Sequence, residues 1–297
     1  MKRVTIQVNI ADLCLRLDSS RKLFNSSELM GFSKFINAES EKLGSVEEVG
    51  SGTKCLQLSE VASPPNKNPG KPILQTAIWE LWENEAGEFT FYTKRFNQSF
   101  ITVNVDHDFD YGQIFFDEMA NRSEKVSPFD LFDIRLYVNW LANSGDFMFH
   151  ASGLVYQGKG YCFLGESGRG KSTLIRNLAA EPGVTILGED QVIIRYLQNR
   201  FYVFGTPWHT DPEICSPMGA PLQKMFFLDR TQPETLREML PLKVTSRILQ
   251  IAFVPWYRQD KLPLILERFS LLAESMRCFG LNFRLGQDGL EILTKTC

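Results

Sequence analysis

One stretch a little past the middle of the chain decides the fold: Leu164-Gly165-Glu166-Ser167-Gly168-Arg169-Gly170-Lys171-Ser172-Thr173. It fits the pattern G-x-x-x-x-G-K-[ST] of a loop that holds phosphate groups. Its glycines let the backbone turn so that several N–H groups point at one anion, and a helix beginning near Gly170 adds its positive end. Lys171 would then reach the β- and γ-phosphates of a nucleotide, and the Ser172 hydroxyl would bind Mg²⁺.

The sequence around this loop has the strand–loop–helix order that such loops require. Residues 161–164 are apolar and predict a strand, and residues 173–180 predict a helix that ends before Pro182-Gly183. A match by chance is expected on the order of once in a hundred chains of this length. We therefore expect nucleotide binding, with the phosphates held by Gly165, Glu166, Ser167, Gly168, Arg169, Gly170, Lys171, Ser172 and Thr173.

A predicted strand over residues 147–156 and a hairpin turn over residues 157–160 precede the loop. The strand that leads into the loop would then run back antiparallel. Pairing Tyr156 with Tyr161 places His150 opposite Ser167, beside the loop. An imidazole there could bind metal, stabilise phosphate charge or hold an acid in place, although a single histidine is more often a structural or surface residue.

An acidic turn follows the helix that is expected after the loop. Residues 184–187 predict a short apolar strand, and Gly188-Glu189-Asp190 comes directly after it. One short helix and one short strand return the chain, so these acids could lie near the loop. One acid at a strand end can hold Mg²⁺, and a second can take a proton from an attacking hydroxyl. The alternative interpretation is an ordinary acidic turn.

The two halves of the chain differ in pattern. The first 125 residues alternate in short runs separated by polar turns, whereas the pattern from about residue 147 is strand, loop, helix, strand. Helices are expected from Pro128, capped by Ser127, to Leu141 and over residues 263–277. Further strands are expected over residues 73–82, 89–95, 100–105, 224–228 and 281–285. The sequence predicts a mixed α/β protein with a β-rich N-terminal domain, residues 1–125, and a phosphate-loop domain, residues 126–297.

Composition and charge narrow the classes of partner. The chain has 297 residues, of which 43 % are hydrophobic and 23 % charged, as in ordinary globular proteins. Its net charge of −3 gives no general reason to bind nucleic acid or an anionic membrane, and neither partner is expected. The chain has no apolar run of membrane-spanning length and no signal-peptide pattern, which predicts a cytoplasmic protein. Its six cysteines are widely spaced without a Cys-x-x-Cys pair, which predicts reduced, buried thiols rather than a zinc site.

The quoted motifs resemble the HPr kinase/phosphorylase family. His150-Ala151-Ser152, the hairpin, the phosphate loop and Gly188-Glu189-Asp190 carry the resemblance, which covers roughly residues 145–195. The family shares its nucleotide-binding core with phosphoenolpyruvate carboxykinases, and that core is the implied fold. Weaker matches after residue 205 are similar to HPr-kinase-like proteins encoded beside genes for ribosomally made, modified peptides.

The resemblance implies an ATP-dependent kinase that phosphorylates a serine-type hydroxyl of a protein or peptide. ATP and Mg²⁺ are the implied cofactors, and Asp190, His150 and Lys171 are the implied catalytic residues. Ser172, Glu189 and Asp190 match the residues that bind the metal. The first half of the chain would recognise the acceptor, and homo-oligomerisation stays open.

Two departures from the family pattern keep other functions open. Glu189 stands where the family normally has aspartate, and residues 195–260 lack a convincing match to the segment for phosphorolysis and for docking the carrier protein. Phosphorylation of HPr itself is therefore not expected. The main alternative is a nucleotide-binding accessory protein that binds a precursor peptide or partner enzyme without phosphotransfer, and a plain ATPase or GTPase is the third.

Three further residues have weaker signals. His209 follows a predicted strand and a Gly-Thr-Pro turn, so it could face the acceptor or belong to a surface loop. Arg195 and Arg200 flank a predicted hairpin and are expected at the surface.

Overall fold

The computed structural model describes residues 4–20, 30–37, 54–65, 69–118, 120, 126–165, 171–209, 211, 214–228, 235–282 and 289–294. The chain divides into two compact units, Met1–Trp140 and Leu141–Cys297. The domain boundary expected after residue 125 falls within the first unit.

A nine-stranded sheet dominates the first unit. Its strands are β1 (Val4–Ile10), β2 (Leu13–Ser19), β3 (Ile36–Asn37), β4 (Lys54–Glu60), β5 (Lys71–Gln75), β6 (Trp79–Glu83), β7 (Phe89–Arg95), β8 (Gln98–Val105) and β9 (Tyr111–Phe116). They lie in the order β3-β1-β2-β4-β9-β8-β7-β6-β5. β4 pairs in parallel with both β2 and β9, and the other pairings are antiparallel. Val8, Leu15 and Leu17 are fully buried, as expected where alternate side chains of a strand face a core.

The helix expected from residue 128 to residue 141 forms as two shorter helices, α1 (Pro128–Leu131) and α2 (Ile134–Ala142). Ser127 caps α1 with its side chain, as predicted. Between the helices, the Asp133 carboxylate accepts a hydrogen bond from a backbone N–H at the start of α2. An aspartate that binds a nearby N–H favours a new helix start over a helix interior, which accounts for the break.

The second unit contains nine strands and four helices in its described residues. The strands are β10 (Phe147–Tyr156), β11 (Lys159–Leu164), β12 (Val184–Gly188), β13 (Gln191–Leu197), β14 (Arg200–Phe204), β15 (Gly219–Leu228), β16 (Thr235–Glu238), β17 (Ala252–Phe253) and β18 (Arg277–Asn282). The helices are α3 (Lys171–Ala179), α4 (Pro241–Ile251), α5 (Leu262–Ser275) and α6 (Gly289–Thr294).

Five of these strands close into a barrel. β11 pairs with β10, β10 with β13, β13 with β14, β14 with β15, and β15 returns to β11. Only the closing pair, β11 and β15, is parallel. β12 and β17 also pair with β10, while β18 and β16 continue outward from β15. The chain is thus mixed α/β and strand-rich, as predicted. Within the described ranges, no helix combines the length and apolar character needed to cross a membrane.

The hairpin expected before the phosphate loop is present, but in a different register. β10 and β11 are joined by a two-residue turn with positive φ at both positions, a geometry that suits the right-handed twist of the strands. Tyr156 therefore pairs with Lys159 and not with Tyr161. The register that placed His150 opposite Ser167 is wrong, because it assumed a longer turn.

Two other predicted segments also differ from the structure. The strand expected over residues 73–82 divides into β5 and β6, because the Thr76 side chain accepts hydrogen bonds from two backbone N–H groups in the turn between them. The helix expected to end at Arg277 ends at Ser275, and β18 follows directly. The last predicted strand, residues 281–285, lies mostly outside the described residues.

Alternate residues of β11 fix the position of α3. One apolar cluster contains Tyr161, Phe163, Leu174, Ile175 and Leu178. The intervening residues of β11 belong to the second core cluster of this unit. The strand therefore holds α3 against one of its faces, and this packing sets where the first residue of the helix lies.

A buried ion pair joins the start of β10 to β13. The Arg195 Nε atom lies 2.9 Å from Asp146 Oδ2, and both side chains are at most 9 % exposed. Asp146 also accepts a hydrogen bond from the Tyr196 backbone N–H. Burial raises the pKa of Asp146, and Arg195 opposes that rise. The prediction that Arg195 lies at the surface is wrong, whereas Arg200 is exposed as predicted.

We expect Arg195→Ala to destabilise the second unit strongly, because it leaves the Asp146 carboxylate buried without its cationic partner. Loss of one member of a buried ion pair typically costs about 3–5 kcal/mol in the free energy of unfolding. Denaturant unfolding measures this loss. Arg200→Ala, in the same hairpin but exposed, is the matched control and should change stability by no more than about 0.5 kcal/mol. Equal losses in the two variants would contradict the buried pair.

Candidate functional site

Lys171 is the first residue of α3 and its side chain is buried. Its Nζ atom donates a hydrogen bond to the Gly165 carbonyl oxygen at 2.5 Å. The lysine therefore folds back over the start of the predicted phosphate loop. Residues 166–170 of that loop, and the side chain of Ser172, lie outside the described parts of the structure, so their predicted phosphate and metal contacts stay predictions.

Asp190 carries the negative charge of the site. It lies in the turn between β12 and β13, and its side chain is half-buried. Burial lowers the pKa of Lys171 from its ordinary value, and the Asp190 carboxylate opposes this shift. The Asp190 carboxylate also opposes the effect of burial on His150 and His209, because it favours a higher pKa for each ring. The structure thus brings together the three residues predicted as catalytic, Asp190, His150 and Lys171.

His150 lies on β10, where it pairs with Gln191 at the start of β13. Its pKa is lowered, first by burial and then by the positive charge of Lys171, against the opposing effect of Asp190. The ring is therefore neutral near pH 7, and a neutral imidazole retains one nitrogen that can accept a hydrogen bond or bind metal.

His209 belongs to the site and is buried, so the alternative that it lies in a surface loop is wrong. The Asp190 backbone N–H donates to His209 Nδ1 at 3.3 Å, and His209 Nε2 lies 3.3 Å from Thr206 Oγ1. Since Nδ1 accepts, the hydrogen-bond network assigns the proton of the neutral ring to Nε2, which donates to Thr206. The Thr206 hydroxyl in turn donates to the Gln191 carbonyl oxygen at 2.9 Å.

This hydrogen-bonded chain holds the acidic turn from one side. A second bond holds it from the other, because the Ala151 backbone N–H donates to the Asp190 carbonyl oxygen at 3.0 Å. Both peptide groups of Asp190 thus have partners, which fixes the backbone that carries its carboxylate. Sequence reasoning treated His209 as a weak candidate and did not identify Thr206.

Gly188 is the sequence signal that identifies His209 in retrospect. A Cβ atom at this position would lie 2.2 Å from both Cε1 and Nε2 of the His209 ring. Only a residue without a side chain permits so close an approach. A glycine directly before the acidic pair therefore marks a position where another group packs on the backbone.

Glu189 is buried and faces α3. Its Oε1 atom lies 3.3 Å from Nε of Arg176, whose side chain is 61 % exposed. The Ser152 hydroxyl donates to the Glu189 carbonyl oxygen at 2.5 Å. The carboxylate predicted as a metal ligand is thus engaged by an arginine, which sequence reasoning did not connect to it.

The donor chemistry of the site fits Mg²⁺. In the described part of the chain no group of three histidine, cysteine or acidic side chains could hold a metal ion by itself. Mg²⁺ usually requires fewer protein ligands than such a group provides, since it binds one or two carboxylates and completes its shell with water and substrate phosphates. The half-buried Asp190 carboxylate beside Lys171 offers such a ligand.

Comparisons with known proteins give little further information. No family model matches the sequence, and no curated protein matches it either. Among solved structures, the HPr(Ser) kinase/phosphatase from Coxiella burnetii is similar to part of the chain, with 15 % identity and a TM-score of 0.28. The match covers 50 % of this chain and 86 % of the other. A similarity at this level assigns neither fold nor function.

We expect His209 to make the protein less stable in acid. Burial lowers its pKa to about 4, below the unfolded value of about 6.5. The folded state therefore binds the proton more weakly, and its stabilisation is complete above pH 6.5 and is lost as the pH falls toward 4. The loss from this residue is about 3 kcal/mol.

Unfolding free energies of the metal-free protein at pH 7 and pH 4 measure this contribution. His209→Gln cannot titrate, so its loss of stability between the two pH values should be smaller than that of the wild type by about 3 kcal/mol. An equal loss in both proteins would contradict the buried neutral ring.

Proposed function

We propose that the chain is an ATP-dependent kinase that transfers the γ-phosphate to a serine-type hydroxyl of a protein or peptide. One observation carries the proposal. A single carboxylate, Asp190, acts electrostatically on both Lys171 and His150, and Lys171 is the lysine of a sequence motif for phosphate binding. Phosphoryl transfer depends chiefly on positioning and charge, and these residues supply both.

Lys171 would bind the β- and γ-phosphates. Its Nζ atom donates to the Gly165 carbonyl at the start of the predicted loop. A bound phosphate would replace this neutral acceptor with a charged one, and charge-assisted hydrogen bonds are the stronger kind. The amino end of α3 would add its partial positive charge to the same place.

Asp190 would receive the proton of the attacking hydroxyl. Its backbone is held by Ala151 and His209, so its carboxylate can keep one orientation while the substrates bind. Positioned carboxylates serve as general bases in this way. Arg176 engages Glu189, so we assign the proton transfer to Asp190, and Glu189 would reach the metal only after leaving this arginine.

Mg²⁺ would be held by Asp190 and Ser172, with Glu189 as a further candidate, and when bound it would neutralise charge on the phosphate oxygens. His150, which is neutral near pH 7, would steady the metal or the acid. The acceptor would be recognised by parts of the chain outside this cluster, and the β-rich first half is our candidate.

A nucleotide-binding accessory protein is the second candidate, and the ion pair between Glu189 and Arg176 favours it. If this pair persists when nucleotide binds, Asp190 alone of the acidic pair remains to hold the metal and to accept the proton. Such a protein would bind ATP and a peptide or enzyme partner without transferring phosphate.

Asp190→Asn tests the kinase directly. Loss of the general base should reduce label transfer from γ-labelled ATP to a serine-containing peptide library by about 10²–10⁴-fold. ATP binding, measured with a fluorescent analogue, should survive because the variant removes a negative charge near the phosphates. Glu274→Gln, exposed on α5, is the control and should transfer phosphate like the wild type. Normal transfer by Asp190→Asn would overturn the role of Asp190, and wild-type binding without transfer or hydrolysis would favour the accessory protein.

Lys171→Ala tests the phosphate site itself. A hydrogen bond from a charged group contributes about 1.5–3 kcal/mol, so we expect ATP affinity to fall about tenfold to a hundredfold. Isothermal titration with ATP and Mg²⁺ measures this change. Lys159→Ala, exposed at the start of β11, is the matched control and should bind ATP like the wild type. Equal affinities in all three proteins would place the nucleotide elsewhere.

A further inference from the structure

Two cysteines of the first unit face each other across neighbouring strands. Cys14 on β2 pairs directly with Cys55 on β4, and the two strands are parallel. Their Sγ atoms lie 2.8 Å apart. Both are free thiols, and they lie far from each other in the sequence. They are also distant in sequence from every residue of the candidate phosphate site.

The sheet geometry suits a bond between them. Neighbouring strands lie about 4.8 Å apart, and disulfides join residues whose Cα atoms are roughly 4.4–6.8 Å apart. Because the two residues pair directly, no change of register is needed to bring the sulfurs together. The sulfurs need to approach by less than about 1 Å to reach the bond length of about 2.05 Å.

The two thiols differ in reactivity. Cys14 is fully buried, whereas Cys55 is half-buried and can meet a reagent from solvent. The hydrogen bond between the two sulfurs is the main cause that lowers the pKa of Cys55 to about 7; the positive charge of Arg16 adds to this effect and burial opposes it. The pKa of Cys14 is raised by the same hydrogen bond and by burial. Since the thiolate is the nucleophile, Cys55 is the attacking residue of the pair.

We propose that Cys14 and Cys55 form a redox site that a small oxidised thiol, of the glutathione disulfide class, converts to an intramolecular disulfide. The Cys55 thiolate attacks one sulfur of the reagent, forms a mixed disulfide and releases one thiolate. Cys14 then attacks Cys55 Sγ, and its proton goes to the second leaving thiol. The two cysteines are thus oxidised, and one reagent disulfide is reduced to two thiols.

The other described cysteines lack this arrangement. Cys162 on β11 and Cys278 on β18 are each buried, and Met225 of the intervening β15 pairs with both. Burial is the main cause that raises the pKa of each of these two thiols. Cys215 is buried as well. Within the described ranges, the reaction should therefore be specific to Cys14 and Cys55.

The new bond would tie β2 to β4 across the connection between them, which spans 41 positions. A disulfide that closes a long connection restricts the unfolded chain and so stabilises the folded one. We therefore expect oxidation to raise the melting temperature of the full-length protein, and reduction to lower it again.

The test incubates the folded full-length protein with glutathione disulfide and follows its intact mass. The wild type should lose the mass of two hydrogens, and peptide mapping should find the Cys14 peptide joined to the Cys55 peptide. Dithiothreitol should reverse both changes. Cys14→Ser should stop at the mixed disulfide and retain one glutathionyl group on Cys55, whereas Cys55→Ser should react at neither position.

Wild-type data alone can overturn the proposal, so it does not depend on the folding of a variant. Free thiols at both positions after the incubation would overturn it, as would a disulfide that joins other cysteines. Cys162→Ser is the matched control from a buried strand and should oxidise like the wild type. Loss of the Cys14–Cys55 bond in this control would also count against the proposal.

Discussion

The charge of Asp190 is the interaction on which the candidate site depends. Lys171 and His209 are buried and His150 is half-buried, and burial lowers the pKa of each. In all three cases the Asp190 carboxylate opposes the shift, and for Lys171 it favours the charged ammonium form. The hydrogen bonds from the Ala151 N–H and to His209 Nδ1 involve the backbone of Asp190 and not its carboxylate oxygens. A fixed backbone helps to hold the side chain in one position, as positioned catalysis requires.

The barrel explains why these groups meet although they are distant in sequence. His150 and Ala151 lie at the point on β10 where its partner changes from β13 to β12, and the acidic turn joins those two partners. Gly153 sits at the same place, where an added Cβ would lie 2.7 Å from Val192 Cγ1. Together with Gly188 under the His209 ring, this glycine lets strands and turn pack more closely than side chains would allow. The residues of the site thus lie close together because glycines occupy these positions on neighbouring strands.

Local features of the fold could be predicted from the sequence, because each depends on residues close along the chain. The strand before the phosphate loop, the helix after it, the Ser127 cap and the acidic turn all have short-range signals. The predicted register of β10 and β11 was wrong, because it depended on whether the turn has two residues or four. The burial of Arg195 depends on Asp146, and that of His209 on Gly188 and Thr206. Asp146 and Gly188 are distant in sequence from the residues they contact, and the local pattern around Thr206 and His209 does not show that the ring is buried.

The choice between a kinase and an accessory protein depends on how firmly Arg176 holds Glu189. Arg176 is mostly exposed, and exposed ion pairs contribute only about 0–1 kcal/mol because water and salt screen them. A nucleotide phosphate or a divalent ion near the loop offers each partner a stronger interaction, since these charges are larger and less hydrated once bound. Under the proposed function the pair would exchange on binding, with Glu189 turning to the metal and Arg176 to phosphate oxygens. Glutamate has one more rotatable bond than aspartate, and that freedom suits an acid that must move between an arginine and an ion. Glutamate at position 189 is therefore compatible with the proposed phosphotransfer.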